Sequence, residues 1–457
     1  VTITAQQIVE AALGFSISDG CIVVATVNST ANIRWANNTV TTSGVSNSLS
    51  WFVVSVVGAA AGTVESSATD LAGIAGAVAQ SEAAAKAAGP ARDAQALIEG
   101  GACADFDEGA VDTDFSVYSA LIPSLAQAFE DAQSADRILY GFARHESATT
   151  YLGTSTGVRR RWVQPTGTVE VNAKSADLTR SSWAGLSTAD FTDVDVRVLA
   201  ESLGMRLGWA KRHIDIAPGR YDTVLPATAV ADMMIYLAWS AGGRAAHEGR
   251  SAFSAPAGGT RMGERLVDRH LSLFSEPTMQ GIEAAPFVIA GGSSDETSVF
   301  DNGAPIGRGE LITNGVISGL LHTRASAAEF GDAFAPMADN LILAGGDETR
   351  STLDLVAGVK RGLLVTSQWY IREVDPISLL LTGLTRDGVF LIENGEITGA
   401  VNNFRFNMSP LDMLRQVGDV GRSERALSRE WSDWFTRTQM PSMRIDGFNM
   451  SSVSQAQ

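Results

Sequence analysis

Between Gly362 and Asn407 the chain breaks into short apolar runs separated at close intervals by turn residues, a pattern that few folds accommodate. Val365 to Arg372 roughly alternates apolar and polar side chains, as a half-buried strand does. Asp387-Gly388 is a pair suited to positive φ, and Val389 to Ile392 reads as a core strand. Asn394-Gly395, inside Glu393 to Glu396, is a strong hairpin signal, and Ile397 to Phe406 completes the run. The stretch is expected to fold as an antiparallel meander.

The rest of the chain alternates strands with helices. Thr4 to Leu13 has helical apolar spacing behind a threonine cap. Cys21 to Val27, Ala31 to Trp35, Thr39 to Ser43 and Ser50 to Val57 read as four short strands. Ala68 to Ala88 is an alanine-rich helix whose small side chains allow close packing on a sheet. Phe115 to Ala132 is a further helix, and strands are expected over Arg137 to Thr149 and Thr150 to Val163. Asp190 to Lys211 should be helical, with Val194, Val198, Leu199, Leu203 and Leu207 on one side. Ala227 to Ser240 is the next helix, and Asn449 to Gln457 reads as a frayed polar tail. With 457 residues there is room for two cores. The expected fold is α+β: an N-terminal domain over 1–222 mixing a meander with helices, and a largely antiparallel β-rich domain over 223–457.

The charge balance narrows the partners. Fifty-one acidic side chains against 34 basic ones give a net charge of −17, a field that repels phosphate backbones. Nucleic acid is therefore not expected as a partner. Two cysteines, Cys21 and Cys103, make neither a disulfide framework nor a cysteine-rich metal site. No apolar run is long enough to span a bilayer, and the first residues lack the layout of a secretion signal, so a cytoplasmic protein without membrane contact is expected.

The segments GLLVTSQWYIREVDP, LTGLTRDGVFLIENGEI and AVNNFRFN resemble the C-terminal signature of the TldD/PmbA family, the modulator-of-gyrase-like proteins. Arg34-Trp35-Ala36-Asn37-Asn38 is similar to an N-terminal pattern of the same family. The resemblance implies a peptidase assembled from a TldD-type zinc subunit and a TldE/PmbA-type subunit without the metal. TldD-type chains carry a His-Glu-x-x-x-His helix, whose imidazoles hold zinc and whose glutamate serves as general base. Aligned on Gly249-Arg250-Ser251-Ala252-Phe253-Ser254, that helix falls here on Met234 to Trp239, with Met234, Ile235 and Trp239 in the place of the donors. No residue from Thr223 to Ala246 is His or Glu, and no cysteine follows Cys103 to stand for the family's third ligand.

The resemblance thus implies the TldE/PmbA-type subunit. It would have no catalytic residue, metal or cofactor of its own, and zinc would sit in a TldD-type partner. The expected assembly is a heterodimeric metalloprotease in which this chain completes a shared cavity and helps to bind unfolded or short peptides. Candidate cavity or interface residues are His247, Glu248, Arg250, Arg386, Asp387 and Arg405, which lie in family-like motifs and in or near turns. His247-Glu248 has no second histidine within a helical turn. Gly153-Thr154-Ser155-Thr156-Gly157 spells a nucleophile elbow, but strand pattern on both sides makes it a hairpin turn. Two alternatives remain: a stand-alone metallohydrolase built around His247 and Glu248, and a homo-oligomeric peptide-binding protein without protease activity.

Overall fold

A computed structural model describes residues 3–455. The first half folds around one antiparallel sheet. Helix α1 (Ala5–Phe15) is closed by a capping box in which Thr4 and Gln7 exchange hydrogen bonds. Strands β1 (Gly20–Ala36), β2 (Thr39–Val57) and β3 (Ala60–Ser66) follow, then α2 (Leu71–Ala87) and α3 (Leu121–Ser134). Next come β4 (Arg137–Thr154), β5 (Arg159–Ser175), β6 (Ser181–Thr188) and α4 (Val196–Trp209). The spatial order is β3-β2-β1-β4-β5-β6.

Three of these strands are far longer than expected. The four short N-terminal strands are two continuous ones, because β1 and β2 keep pairing from Gly20↔Val56 to Ala36↔Thr39 through the polar residues in between. The break expected at Thr149 is likewise absent from β4. Odd-numbered residues of β1 face the helices, which divide that face between them. Val23 and Ala25 pack with α1 and α2, while Ala31, Ile33 and Trp35 pack with α3 and α4. The opposite face, with Ile22, Val24 and Leu152, packs on Phe287, Val299 and Phe300 from the second half of the chain. The Thr154–Val158 segment is a hairpin turn, as the strand pattern around Ser155 implies. In α4, Val198 faces solvent; the helix starts at Val196, and Val196, Ala200, Leu203 and Leu207 form its buried side.

The second half is built on a fourteen-stranded, mainly antiparallel sheet. Its elements are β7 (His213–Ile214), β8 (Gly219–Leu225), α5 (Ala227–Trp239), α6 (Gly243–His247), β9 (Ser272–Ser275), β10 (Gly309–Thr313), β11 (Val316–Ile317), α7 (Arg324–Phe330), β12 (Leu341–Ala344) and α8 (Thr352–Ala357). They continue with β13 (Arg361–Val365), β14 (Gln368–Asp375), β15 (Leu380–Thr385), β16 (Val389–Glu393), β17 (Glu396–Val401), β18 (Phe404–Met408), α9 (Pro410–Arg415), β19 (Val417–Ala426) and β20 (Thr438–Val453). The fold is α+β.

The signature stretch forms antiparallel ladders, but not one meander. β13 pairs with β16 and β16 with β17, whereas β14, β15 and β18 form a separate branch that rejoins the sheet through β20. The run Val365 to Arg372 is broken at Thr366-Ser367, so its two ends enter different ladders. Asn394 and Gly395 take φ of 53° and 82° at the expected hairpin turn. Asn449 to Val453 is not a tail: it extends β20, paired to β8 and β18, with Phe448 and Met450 buried. Residues 456 and 457 lie outside the described range.

Candidate functional site

Helix α5 is apolar on nearly every face, and ten of its residues, Asp232 among them, are buried. Met234 and Ile235 are fully enclosed, and Trp239 lies at the helix end, where it is 39% exposed. Met234, Ile235 and Trp239, which the family resemblance sets in the place of metal donors, carry a thioether, an alkyl group and an indole. They do not fit a zinc ion.

The end of α5 instead opens an aromatic cavity. Tyr236, Trp239 and Trp431, with Arg250, Glu296 and Arg372, line a cavity of about 540 Å³. The ring centroids of Trp239 and Trp431 lie 5.1 Å apart, edge to face, and Tyr236 is 5.7 Å from Trp431. Such a surface presents flat apolar walls with charged groups at the rim, suited to side chains of a flexible peptide.

One buried carboxyl holds the aromatic wall. Asp232 Oδ1 accepts hydrogen bonds from the Ser428 hydroxyl and from the Glu430 amide (3.1 Å), and its carbonyl accepts the Trp431 indole N–H at 2.9 Å. Asp232 Oδ2 has no partner, and burial pushes the carboxyl up to about 7. Glu430 in turn receives the successive amides of Tyr370 and Ile371 at 2.7 and 2.9 Å and a bond from Arg372 at 3.0 Å. Tyr370 has φ of 59°, a costly geometry for a tyrosine, and it sits at an irregularity in the β14–β15 pairing. The twist aims two adjacent N–H groups at one carboxylate.

Arg250, on the cavity lining, leads into a charged network. Arg250 donates to Glu248 (2.6 Å) and Asp295 (2.7 Å), while Arg92 reaches Glu248 at 2.5 Å. Buried Arg244 lies 2.7 Å from Glu329 and 3.6 Å from Glu248. Bonds from Arg250 and then Arg92 hold the Glu248 carboxyl down to about 2. Next to this network His247 Nε2 stands 2.7 Å from Asp332, which is also 3.2 Å from His322 Nε2. Burial pushes the His322 imidazole below its ordinary value, against the pull of Asp332.

Three of the six sequence candidates, His247, Glu248 and Arg250, therefore meet in one region. The other three lie elsewhere. Asp387, at φ 53° in the turn before β16, accepts from Ser181 of β6 and from Arg429, at 2.5 and 2.6 Å. Burial raises its carboxyl, but Arg429 and Ser181 outweigh this and hold it below the usual range. Arg386 lies 3.6 Å from Asp387, and Arg405 reaches Thr382 across β15 at 3.2 Å. Sequence reasoning missed Asp232, Trp431, Arg244, His322 and Asp332. Asp232 alone carried a local signal, as the one acid in an apolar helix.

The sequence pattern of the PmbA/TldA metallopeptidase C-terminal domain matches residues 218–452, more than half of the chain. The chain belongs to the PmbA/TldD family. Among curated proteins no sequence match is found. Solved structures share the whole fold. TldE from Thermococcus kodakarensis superposes with a TM-score of 0.77 at 15% identity, covering 96% of this chain and 98% of its own. A candidate modulator of a DNA gyrase from Thermotoga maritima gives a TM-score of 0.74 at 15% identity, covering 94% and 95%. One from Bacteroides thetaiotaomicron gives 0.74 at 15%, covering 98% of each chain. These likenesses concern the family fold. No helix among the described residues is long and apolar enough to cross a membrane.

Proposed function

We propose that this chain is the TldE-type, non-catalytic subunit of a two-subunit peptidase, with zinc and the reacting groups on a TldD-type partner. The aromatic cavity at the end of α5 holds part of an unfolded or short peptide, and the charged rim of Arg250, Glu248 and Asp295 orders the loops around it. What supports this reading is the aromatic cavity at the end of α5, together with Met234, Ile235 and Trp239 standing on that helix where the family resemblance expects donors. An extended peptide needs no chemistry from such a wall, only shape and main-chain pairing.

The test is peptide cleavage by the chain alone, by a TldD-type partner alone, and by the mixture. Cleavage should appear or rise sharply only in the mixture, and Trp239→Ala should raise its KM roughly tenfold. Robust metal-dependent cleavage by the isolated chain overturns the reading. One observation favours the alternative of a stand-alone metallohydrolase: His247 has His322 and Asp332 within reach. None of those three side chains lines the aromatic cavity. If the isolated chain cleaves and His247→Ala abolishes it, this alternative holds.

A further inference from the structure

The geometry points to a divalent transition-metal site formed by His247 Nε2, His322 Nε2 and Asp332 Oδ2, separate from α5. This departs from the expectation, drawn from the missing His-Glu-x-x-x-His helix, that the chain holds no metal.

The three donor atoms lie within 4.8 Å of one another. Around a tetrahedral ion with bonds of about 2.0–2.1 Å, donors stand about 3.3 Å apart. The His322–Asp332 pair, at 3.2 Å, already has that separation, and the His247–Asp332 pair, at 2.7 Å, has to open slightly. Two imidazoles and one carboxylate suit zinc, cobalt or ferrous iron, and three protein ligands leave an open position. Asp332 is 41% exposed, which gives an ion a way in.

Each ligand is fixed by groups behind it. His322 Nδ1 lies 3.1 Å from the Ser326 hydroxyl, the kind of outer contact that sets which ring nitrogen is free to ligate. Its backbone is locked to Ala335 by a reciprocal pair of 3.1 Å bonds. Gly243 brings bare backbone against the same ring, where an added Cβ would fall 2.0 Å from Nε2. The His247 ring stacks flat on Phe330, centroids 4.3 Å apart. Asp332 follows Gly331, whose φ of 77° ends α7; the Gly331 and Asp332 amides both return to the Ala327 carbonyl at 2.9 Å. Arg244, near Phe330, opposes a cation, but its charge is met by Glu329 at 2.7 Å.

The ligands come from the end of α6, the residue before the α7 cap and the residue after the α7 end. An ion there ties α6 to α7 and stiffens the charged rim that carries Glu248 and Arg250. Its role is a clasp, since the ligands stay outside the aromatic cavity.

The full chain, stripped with chelator, is titrated with Co²⁺ while visible d–d bands are recorded, then back-titrated with Zn²⁺. One Co²⁺ per chain with tetrahedral-type bands displaced by zinc is expected. His247→Ala and Asp332→Asn should each weaken binding by at least about 100-fold, and Ser326→Ala by about 10-fold. His213→Ala, which removes the exposed imidazole 3.1 Å from Asp215, should change nothing. Far-UV circular dichroism of each metal-free variant separates lost ligation from lost folding. Absence of bands in the wild type, or equal binding by correctly folded His247→Ala and Asp332→Asn, overturns the site and leaves a metal-free hydrogen-bonded triad.

Discussion

The aromatic wall of the cavity and the charged network behind Arg250 are built on opposite principles. The aromatic wall hangs on a single buried group: Asp232 holds Ser428, Glu430 and Trp431, and one of its oxygens is unpartnered. The charged rim is redundant: Glu248 has Arg250 and Arg92 within 2.6 Å, with Arg244 behind them. A buried carboxyl is costly to ionise and its loss leaves its partners unpaired, whereas exposed ion pairs cover for one another. The apolar side of the site should therefore be fragile and sensitive to pH, and the charged side tolerant.

The sharpest test of the contrast is Asp232→Asn. In the folded protein the carboxyl keeps its proton up to about 7, while in the unfolded chain it releases it near its ordinary value of 3.8. The unfolded state thus binds fewer protons between those values, and this group's contribution to stability falls as pH rises from about 4 to 7. The loss is on the order of 4 kcal/mol at one pKa unit per 1.36 kcal/mol. Urea unfolding from pH 4 to 8 should show that decline in the wild type relative to Asp232→Asn. Parallel curves would mean that Asp232 ionises freely and that the wall does not depend on its proton.

Trp431→Ala comes next, at about 3 kcal/mol, because it removes the ring contacts to Tyr236 and Trp239 together with the indole bond to Asp232. Trp431→Phe should cost about 1 kcal/mol, the worth of the hydrogen bond. If the two variants are equally damaging, the bond and not the ring holds the wall.

The smallest effect is expected at the rim. Arg250→Ala should change stability by less than about 1 kcal/mol. The Glu248 carboxyl, now at about 2, should rise in an NMR titration, since the Arg250 bond is its largest stabiliser. Whatever stability that depressed carboxyl gives is present at neutral pH and lost on acidification, and the variant should lose it at a higher pH. A large stability loss in Arg250→Ala would erase the contrast between the wall and the network.

What could be read from the sequence follows the range of the forces involved. The hairpin at Asn394-Gly395, the threonine cap of α1 and the helical run of α5 are local, and each was legible. Strand length was not, because β1 and β2 run through Ser, Thr and Asn that pair as well as any residue once register is set. His247 stood out beside Glu248, but its companions lie 75 and 85 residues further along and share no spacing rule with it. Trp431 reaches α5 from almost two hundred residues away. Arg386, Asp387 and Arg405 stood in the same signature segments, yet Asp387 is spent on a tie to β6 and Arg405 on a cross-strand bond. Motif membership alone could not separate these duties.

The place of β20 in the larger sheet bears on how the chain comes off the ribosome. The N-terminal sheet has all six strands by Thr188 and can close while synthesis continues. The larger sheet cannot: β20 lies between β12 and β8 and also pairs with β18 and β19, so its centre arrives long after its flanks. Until then the edges of β8 and β12 stay open, and such non-local closure is slow and prone to wrong pairing. A ribosome stall before Thr438 would release a chain with one finished sheet and one with a gap in its middle, the kind of nascent product that chaperones and proteases are left to sort.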